Sequence, residues 1–294
     1  MTSHLRVLRP AEGILAFYDG RIPGYRFGPA PNWVDEGAIS LGIASYAILD
    51  GGEALVYDTH VSVEHGRAIR QTLEAAGAGR ITILLSHWHL DHIAGTEAFA
   101  DCEVIAGART AELLEEHRHA IEAGTLEGPP SIAPLVLPTR TIDAPTEIAV
   151  GARRLQLIPV EIHSEDAVVV WEPATATLLA GDTVEDTVTY VDEPGAFAAH
   201  LRDLDRLLAL EPAHVLPNHG YPDLIAGGGY GPELLRATQD YIRFLQRCGV
   251  QPELGDLPLR EVVADAIDAG AVRYFEPYEA VHRHNVATVL EADG

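Results

Sequence analysis

Cysteine is almost missing. Cys102 and Cys248 are the only two among 294 residues, and two thiols so far apart make neither a disulfide framework nor a cysteine metal site. Such usage fits a reducing compartment, so a cytoplasmic protein is expected. Basic residues are also scarce: 20 Lys plus Arg stand against 44 Asp plus Glu, a formal charge of −24. Non-specific nucleic-acid binding needs clustered cations, as does adsorption to an anionic membrane surface, so both are disfavoured. The acidic excess is read first as a source of solubility. Residues 1–6 lack the apolar core of a signal peptide, and no window of ~20 apolar residues is available to span a bilayer. Long repeats and low-complexity tracts are missing as well.

What is present is a hydrophobic content of 47%, ample for a large core in one or two domains. Residues 13–18 and 38–50 are rich in β-formers. Residues 39–49 are expected as a strand, Asp50-Gly51-Gly52 as a hairpin turn, and 54–57 as the returning strand. The Gly- and Pro-rich stretch 21–33 between them is expected as a surface loop, placed to overhang a site. A helix follows at 61–76, a buried strand at 81–85, a short helix from Ala94-Gly95-Thr96, a strand at 103–106 and a charged helix at 109–123. Residues 127–138 hold four prolines and are irregular. Antiparallel pairs are expected at 141–150 with 155–162, and at 167–171 with 176–180. An amphipathic helix at 195–210 and a short strand at 214–217 come next, then three helices near 233–248, 259–269 and 278–291. Strand-rich halves, each followed by helices, predict an α+β chain: a four-layer αββα sandwich with a helical C-terminal extension. The expected division is 1–222 for the catalytic part and 223–294 for the extension packed on it.

The chemistry concentrates in Ser86-His87-Trp88-His89-Leu90-Asp91-His92. Four metal-ligand types follow directly on the apolar run 81–85, where a strand should end. Two histidines two apart point the same way from an extended segment, and Asp91-His92 then turns toward a second position. One stretch can therefore serve two adjacent ions. Asp58, His163, Asp182 and His219 also fall where predicted strands stop, so they too can converge on one edge of a sandwich.

In this order (HxHxDH, then His163, then the Gly-Asp-Thr Asp182, then His219) the chain resembles the metallo-β-lactamase superfamily over about residues 14–222. The resemblance implies that His87, His89 and His163 bind a first metal, that Asp91, His92 and His219 bind a second, and that Asp182 bridges them. Imidazole and carboxylate without thiolate suit two Zn²⁺, with Fe²⁺ or Mn²⁺ also compatible. Ions about 3.5–4 Å apart share a water or hydroxide whose pKa drops toward ~7, giving a nucleophile without serine or cysteine. Asp91 would orient that water and pass its proton to the leaving group. Asp58 is expected either behind the ligands, orienting one of them, or as the N-cap of helix 61–76. His60 is expected behind the ligands or at the surface. One departure stands out: many relatives follow the third histidine with Thr-Pro-Gly, whereas here it is Ser164-Glu165-Asp166. A solvated turn is expected there, with Ser164 or Asp166 bonding local backbone.

Substrate selection is less legible. Trp88 is expected to pack under the ligand loop, while Tyr190, Tyr221, Tyr230, His282 and His284 are candidates to reach the site. A C-terminal helical part is also found in glyoxalase II–like relatives, but no basic cluster supports glutathione binding here. The acidic charge sets nuclease activity aside, and nothing identifies a β-lactam pocket. The expectation is a hydrolase of an ester, thioester, lactone or related acyl bond, its partner a small molecule, with assembly into a homo-oligomer left open. The alternative is a mononuclear iron dioxygenase resembling persulfide dioxygenases, using His87, His163 and Asp182. A non-catalytic metal-stabilised binding protein ranks third.

Overall fold

A computed structural model describes residues 4–292; residues 1–3, part of the N-terminal stretch weighed above, and 293–294 lie outside it. The first half runs β1 Arg6–Ala11, β2 Ile14–Asp19, β3 Ile43–Asp50, β4 Glu53–Tyr57, α1 Val63–Ala75, β5 Arg80–Leu84, α2 Leu90–Ile93, β6 Glu103–Gly107, α3 Ala108–Ala123 and β7 Arg140–Ile142. The second runs β8 Thr146–Val150, β9 Arg153–Pro159, β10 Val168–Glu172, β11 Thr177–Gly181, α4 Phe197–Leu208, β12 His214–Pro217, α5 Pro222–Ala226, α6 Glu233–Val250, α7 Leu259–Val262, α8 Ala264–Asp268 and α9 Tyr278–Ala292. Strands β1 to β7 form one sheet in sequence order, and β12-β11-β10-β9-β8 form the other.

Alternation along the strands builds the layers. On β2, Ile14, Ala16 and Tyr18 face inward and meet Leu157, Val170 and Leu179 of the second sheet. Leu15 and Phe17 face outward, into the cluster that holds Ile69 and Leu73 of α1 and Leu114 of α3. The second sheet repeats the pattern. Val169, Trp171 and Leu178 face outward and join Leu204 of α4, Ile242 of α6 and Val289 of α9 in one cluster. The architecture is the αββα sandwich, and its last layer includes the C-terminal helices. Helix α1 begins because the Ser62 side chain accepts from the His65 amide at 3.3 Å, a serine N-cap.

The site is positioned by strand direction. Strands β4, β5 and β6 run parallel, and so do β11 and β12. The C-terminal ends of each parallel set therefore lie on one edge, where ligand-bearing loops gather.

Several boundaries differ from expectation. The strand expected at 39–49 starts only at Ile43, because Val34–Ile39 forms a π-helical turn and Gly42 follows with φ +75°. Gly42 also sits so close to the Tyr18 hydroxyl that a side chain would collide with it at 2.0 Å. The strand expected at 141–150 is two strands in different sheets, with the chain changing sheets around Pro145. The helix expected at 259–269 breaks at Val263 into α7 and α8. The short helix expected from Ala94 is instead α2, already begun at Leu90, and a 3-10 turn Thr96–Phe99. Strand β9 stops at Pro159 rather than Ile162. Strand β1, Arg6-Val7-Leu8-Arg9-Pro10-Ala11, has neither an apolar run nor a polar–apolar alternation and buries no residue fully, so it had no clear signal in the sequence.

Candidate metal centre and its cleft

Each predicted ligand sits just past a strand. His87, His89, Asp91 and His92 lie on the β5–α2 connection and the α2 turn, His163 beyond β9, Asp182 directly after β11, and His219 after β12. All seven converge. Three sets have donor atoms mutually within 4.8 Å: His87, His89 and His163; His87, His92 and Asp182; and Asp91, His92 and His219. Asp182 is the hub. Its Oδ2 lies 3.0 Å from Nε2 of His92, 3.4 Å from that of His219, 3.8 Å from that of His163 and 3.9 Å from that of His87.

The outer ring nitrogens are tied down, which decides where the inner lone pairs point. Nδ1 of His163 donates to the Tyr190 carbonyl at 3.1 Å, and Nδ1 of His219 to the Gly42 carbonyl at 2.9 Å. Nδ1 of His92 donates to Asp58 at 2.9 Å. The Ser86 hydroxyl donates to Asp58 at 2.7 Å, leaving its oxygen to accept from Nδ1 of His87 at 2.8 Å. The remaining nitrogens of His87 and His163 then face Nδ1 of His89 at 3.0 and 3.1 Å. Three converging imidazole nitrogens cannot all satisfy one another, and Oδ1 of Asp182 is buried with no hydrogen-bond partner among the described residues. A cation resolves both deficits, so the donor set fits a metal.

The electrostatics of the site split its imidazoles into two pairs. Burial, aided by the neighbouring His92 and His89, holds His87 well below the ordinary histidine range; burial and His89 push His163 down to about 4. Both imidazoles are therefore neutral at physiological pH, the form in which they can coordinate a metal. Burial would also depress His92 and His219, but Asp182 first, then Asp91, raise both well above the ordinary range. Those same imidazoles overcome the burial of the two aspartates, holding Asp182 well below the carboxylate range and Asp91 at about 2.

Asp58 and His60 enter this edge in the left-handed region, at φ 65° and 70°, as does His163 at φ 69°. Aspartate and histidine tolerate that region better than most side chains, and strain there is a mark of functional loops. Asp58 is the organiser behind the ligands and not a helix cap: it accepts from the Ser86 amide, the Ser86 hydroxyl, His92 and Asn218, while Ser62 caps α1. His60 is fully buried, stacked on His65 with centroids 4.5 Å apart.

Among the other candidates, the structure separates wall from scaffold. Trp88 stacks on His117 of α3 at 4.7 Å and packs against the outer core. Tyr221 lies under Arg21, Tyr230 bonds Asp186, and His282 is clamped between Tyr241 and the Leu257 carbonyl. None of these three lines the cleft over the histidines. Tyr190 does line it, stacked on His284, which pairs with Asp192 at 3.0 Å. Glu165 turns outward to Arg109, and Asp166 is buried, accepting from Ser164, so the unusual turn is closed on itself and not wholly solvated.

The cleft holds about 440 Å³ and is bordered by His89, Asp91, His163, Asp182 and His219. Its wall also carries Glu36, Gly37 and Leu41, so the π-helical turn overhangs the site in place of loop 21–33. Glu185 was missed, although it follows Asp182 by three residues on the same loop, where wall residues are expected. It is buried, which pushes it up to about 7, and it accepts from the Tyr278 hydroxyl at 2.8 Å. Glu127 and Asp192 also border the cleft; they come from irregular segments whose placement no local pattern announces.

Residues 40–219, which include all seven converging side chains, match the metallo-beta-lactamase superfamily. The chain belongs to that superfamily. Among curated relatives, the linear primary-alkylsulfatase of Pseudomonas sp. is 21% identical over 287 residues, covering 81% of this chain and 53% of the relative. The Beta-lactamase-like protein 2 homolog of Drosophila melanogaster is 24% identical over 186 residues, covering 61% of this chain and 59% of the relative. The chain thus spans little more than half the length of these relatives. Of solved structures, a metallo-beta-lactamase from Pontibacter korlensis superposes with a TM-score of 0.60 at 18% identity, covering 82% of this chain and 99% of the other. The DIM-1 metallo-beta-lactamase gives 0.58 at 20% identity, covering 82% and 97%. These likenesses establish the metallo-beta-lactamase fold. Among the described residues, no helix is long and apolar enough to cross a membrane.

Proposed function

We propose that the chain is a metal-dependent hydrolase that cleaves an ester, thioester, lactone or related acyl bond of a small molecule. The observation that carries this reading is the convergence of seven imidazole and carboxylate side chains, five of which border an open cleft. His87, His89 and His163 would hold one divalent ion and Asp91, His92 and His219 a second, with Asp182 placed to reach both. When bound, such ions supply Lewis acidity toward a carbonyl oxygen and acidify a water toward neutral pH. Zinc suits the N/O donor set best.

The chain's own groups do the rest. Asp91 is the more open of the two aspartates, its side chain 18% exposed against 5% for Asp182. Ionised at neutral pH, it accepts a hydrogen bond from the attacking water and delivers that proton to the departing oxygen or sulfur. Leu41 and Tyr190 border the cleft and offer apolar surface to one side of the acyl group. Neither cysteine borders it, so a thiolate route finds no support there.

The test is elemental mass spectrometry on freshly purified protein, followed by turnover against lactones, thioesters and alkyl esters. Alkyl sulfates join the screen because one relative is named for them. About two zinc ions per chain and acyl turnover support the reading. Asp182→Asn should lower both metal content and rate; a variant with full occupancy and rate would exclude Asp182 as the bridging ligand. About one iron per chain, with oxygen uptake on sulfur substrates, would favour the dioxygenase instead.

A further inference from the structure

The cleft does not end at the histidines. Past Leu41 and Tyr190, which line both parts, it opens into a second cavity of about 710 Å³ between the 34–39 turn and α9. The inner end is the metal centre itself, where Oδ1 of Asp182 is buried without a hydrogen-bond partner among the described residues, a deficit that a cation would fill. The walls beyond it are acidic. Glu36 borders both parts, Glu127 and Asp192 the inner one, Glu276 and Glu279 the outer one. Arg283 is the one Lys or Arg among the described residues that line either part.

Some of this charge is already used. Asp192 pairs with His284, and Glu279 accepts from the Leu259 amide and the Tyr274 hydroxyl. Glu36, Glu127 and Glu276 have no hydrogen-bond or ion-pair partner for their carboxylates among the described residues. Metal ions would offset Asp91 and Asp182, whereas Glu36, Glu127 and Glu276 belong to none of the groups able to hold a metal among the described residues. An anionic tail would meet net repulsion there, with Arg283 the one opposing side chain of Lys or Arg type among the described lining residues, in a chain already at −24. A cationic tail would meet carboxylates and the Tyr190 ring, both of which attract an ammonium group.

We propose that the substrate carries an ammonium group: a small cationic ester, thioester or lactone whose acyl carbon reaches the histidine floor while its charge lies among Glu36, Glu127 and Tyr190. The proposal rests on the acyl-hydrolase reading. Water adds across the acyl–oxygen or acyl–sulfur bond, giving the acid and the alcohol or thiol, and the ammonium group is unchanged.

The experiment uses metal-loaded protein and three esters with one acyl group. Their alcohols are 2-(trimethylammonio)ethanol, its neutral isostere 3,3-dimethylbutanol, and 2-hydroxyethanesulfonate. The expected order of kcat/KM is ammonium above neutral by about tenfold or more, and neutral above sulfonate, with the gaps shrinking as salt is raised. Glu36→Gln combined with Glu127→Gln should narrow the ammonium-to-neutral ratio several-fold. Equal rates, or a preference for the sulfonate, would overturn the proposal while leaving the hydrolase intact. Calorimetric titration with non-hydrolysable ethers of the same three alcohols provides a readout independent of turnover. If no ester is cleaved, the acyl reading falls and the ethers alone decide the charge preference. Tighter binding of the ammonium ether supports it, and equal or weaker binding overturns it.

Discussion

His92 donates from Nδ1 to the carboxylate of Asp58 at 2.9 Å, and its other ring nitrogen meets Asp182 at 3.0 Å. The same Asp58 fixes His87 at one remove, through the Ser86 hydroxyl. One carboxylate thus orients a histidine in each half of the candidate metal centre. Asp58→Asn keeps the volume but turns one acceptor into a donor facing other donors. Metal affinity is expected to fall about 10- to 100-fold, measured by chelator competition, with far-UV circular dichroism unchanged. An unaltered affinity would confine Asp58 to holding the loop together.

The C-terminal helices reach the histidines by a relay. The Tyr278 hydroxyl on α9 donates to Glu185 at 2.8 Å; Glu185 accepts from the Tyr190 amide at 3.2 Å; the Tyr190 carbonyl accepts from His163 at 3.1 Å. Tyr278→Phe leaves a buried carboxyl oxygen short of its donor, at a cost of about 1–3 kcal/mol. For a chain of this size that corresponds to a drop in Tm of roughly 2–5 °C. If the relay also positions His163, kcat/KM falls in the folded variant. A lower Tm with kcat/KM intact would limit Tyr278 to holding α9.

How far this arrangement could be read from the sequence follows from its physics. Ligands past strand ends were legible because apolar runs mark strands, and His, Asp and Gly-Asp-Thr mark the stops. Cross-sheet convergence was reachable only through the order His87 to His219 and the family it resembles. The walls were not legible. Leu41 lies within the strand expected at 39–49 and Glu36 just ahead of it, in the π-helical turn Val34–Ile39 that took its place, and a single glycine at 42 redirects the chain. Glu127 and Asp192 sit in segments without periodicity, so nothing local places them near Asp182. The role of Asp58 was open between two readings because N-capping and support of a histidine use the same carboxylate; its bonds to Ser86, His92 and Asn218, with Ser62 at the cap, separate them.

His200 on α4 gives a pH prediction away from the metal centre. It is 1% exposed, both ring nitrogens lack partners among the described residues, and burial pushes it down to about 4. Between that value and the ordinary histidine pKa of about 6.5, the unfolded chain binds a proton that the folded chain excludes, so stability falls as pH falls through this window. The loss at pH 5 relative to pH 7 is about 2 kcal/mol from this residue. His200→Leu should remove that part of the pH dependence, flattening the urea midpoint between pH 7 and pH 5. An equally steep dependence in the variant would place the acid sensitivity elsewhere.

Gly95 closes the ligand loop against the Asp58 strand end. Its amide donates to the His60 carbonyl at 3.1 Å, while the Thr59 amide donates to the His92 carbonyl at 2.7 Å. A Cβ at position 95 would lie 1.9 Å from the Thr59 carbonyl oxygen and 2.9 Å from that of Ser62. Both obstacles are backbone atoms and cannot swing aside as a side chain can. Gly95→Ala must push the α2 turn, with Asp91 and His92, away from Asp58. The expected cost is roughly 2–4 kcal/mol, read from the shift in urea midpoint, with weaker metal retention in dialysis against a chelator. Gly195→Ala is the matched control, because nothing lies within 4 Å of its added Cβ and its φ is not positive. If the two variants lose stability equally, the close approach at Gly95 does not set the spacing between the ligand loop and Asp58.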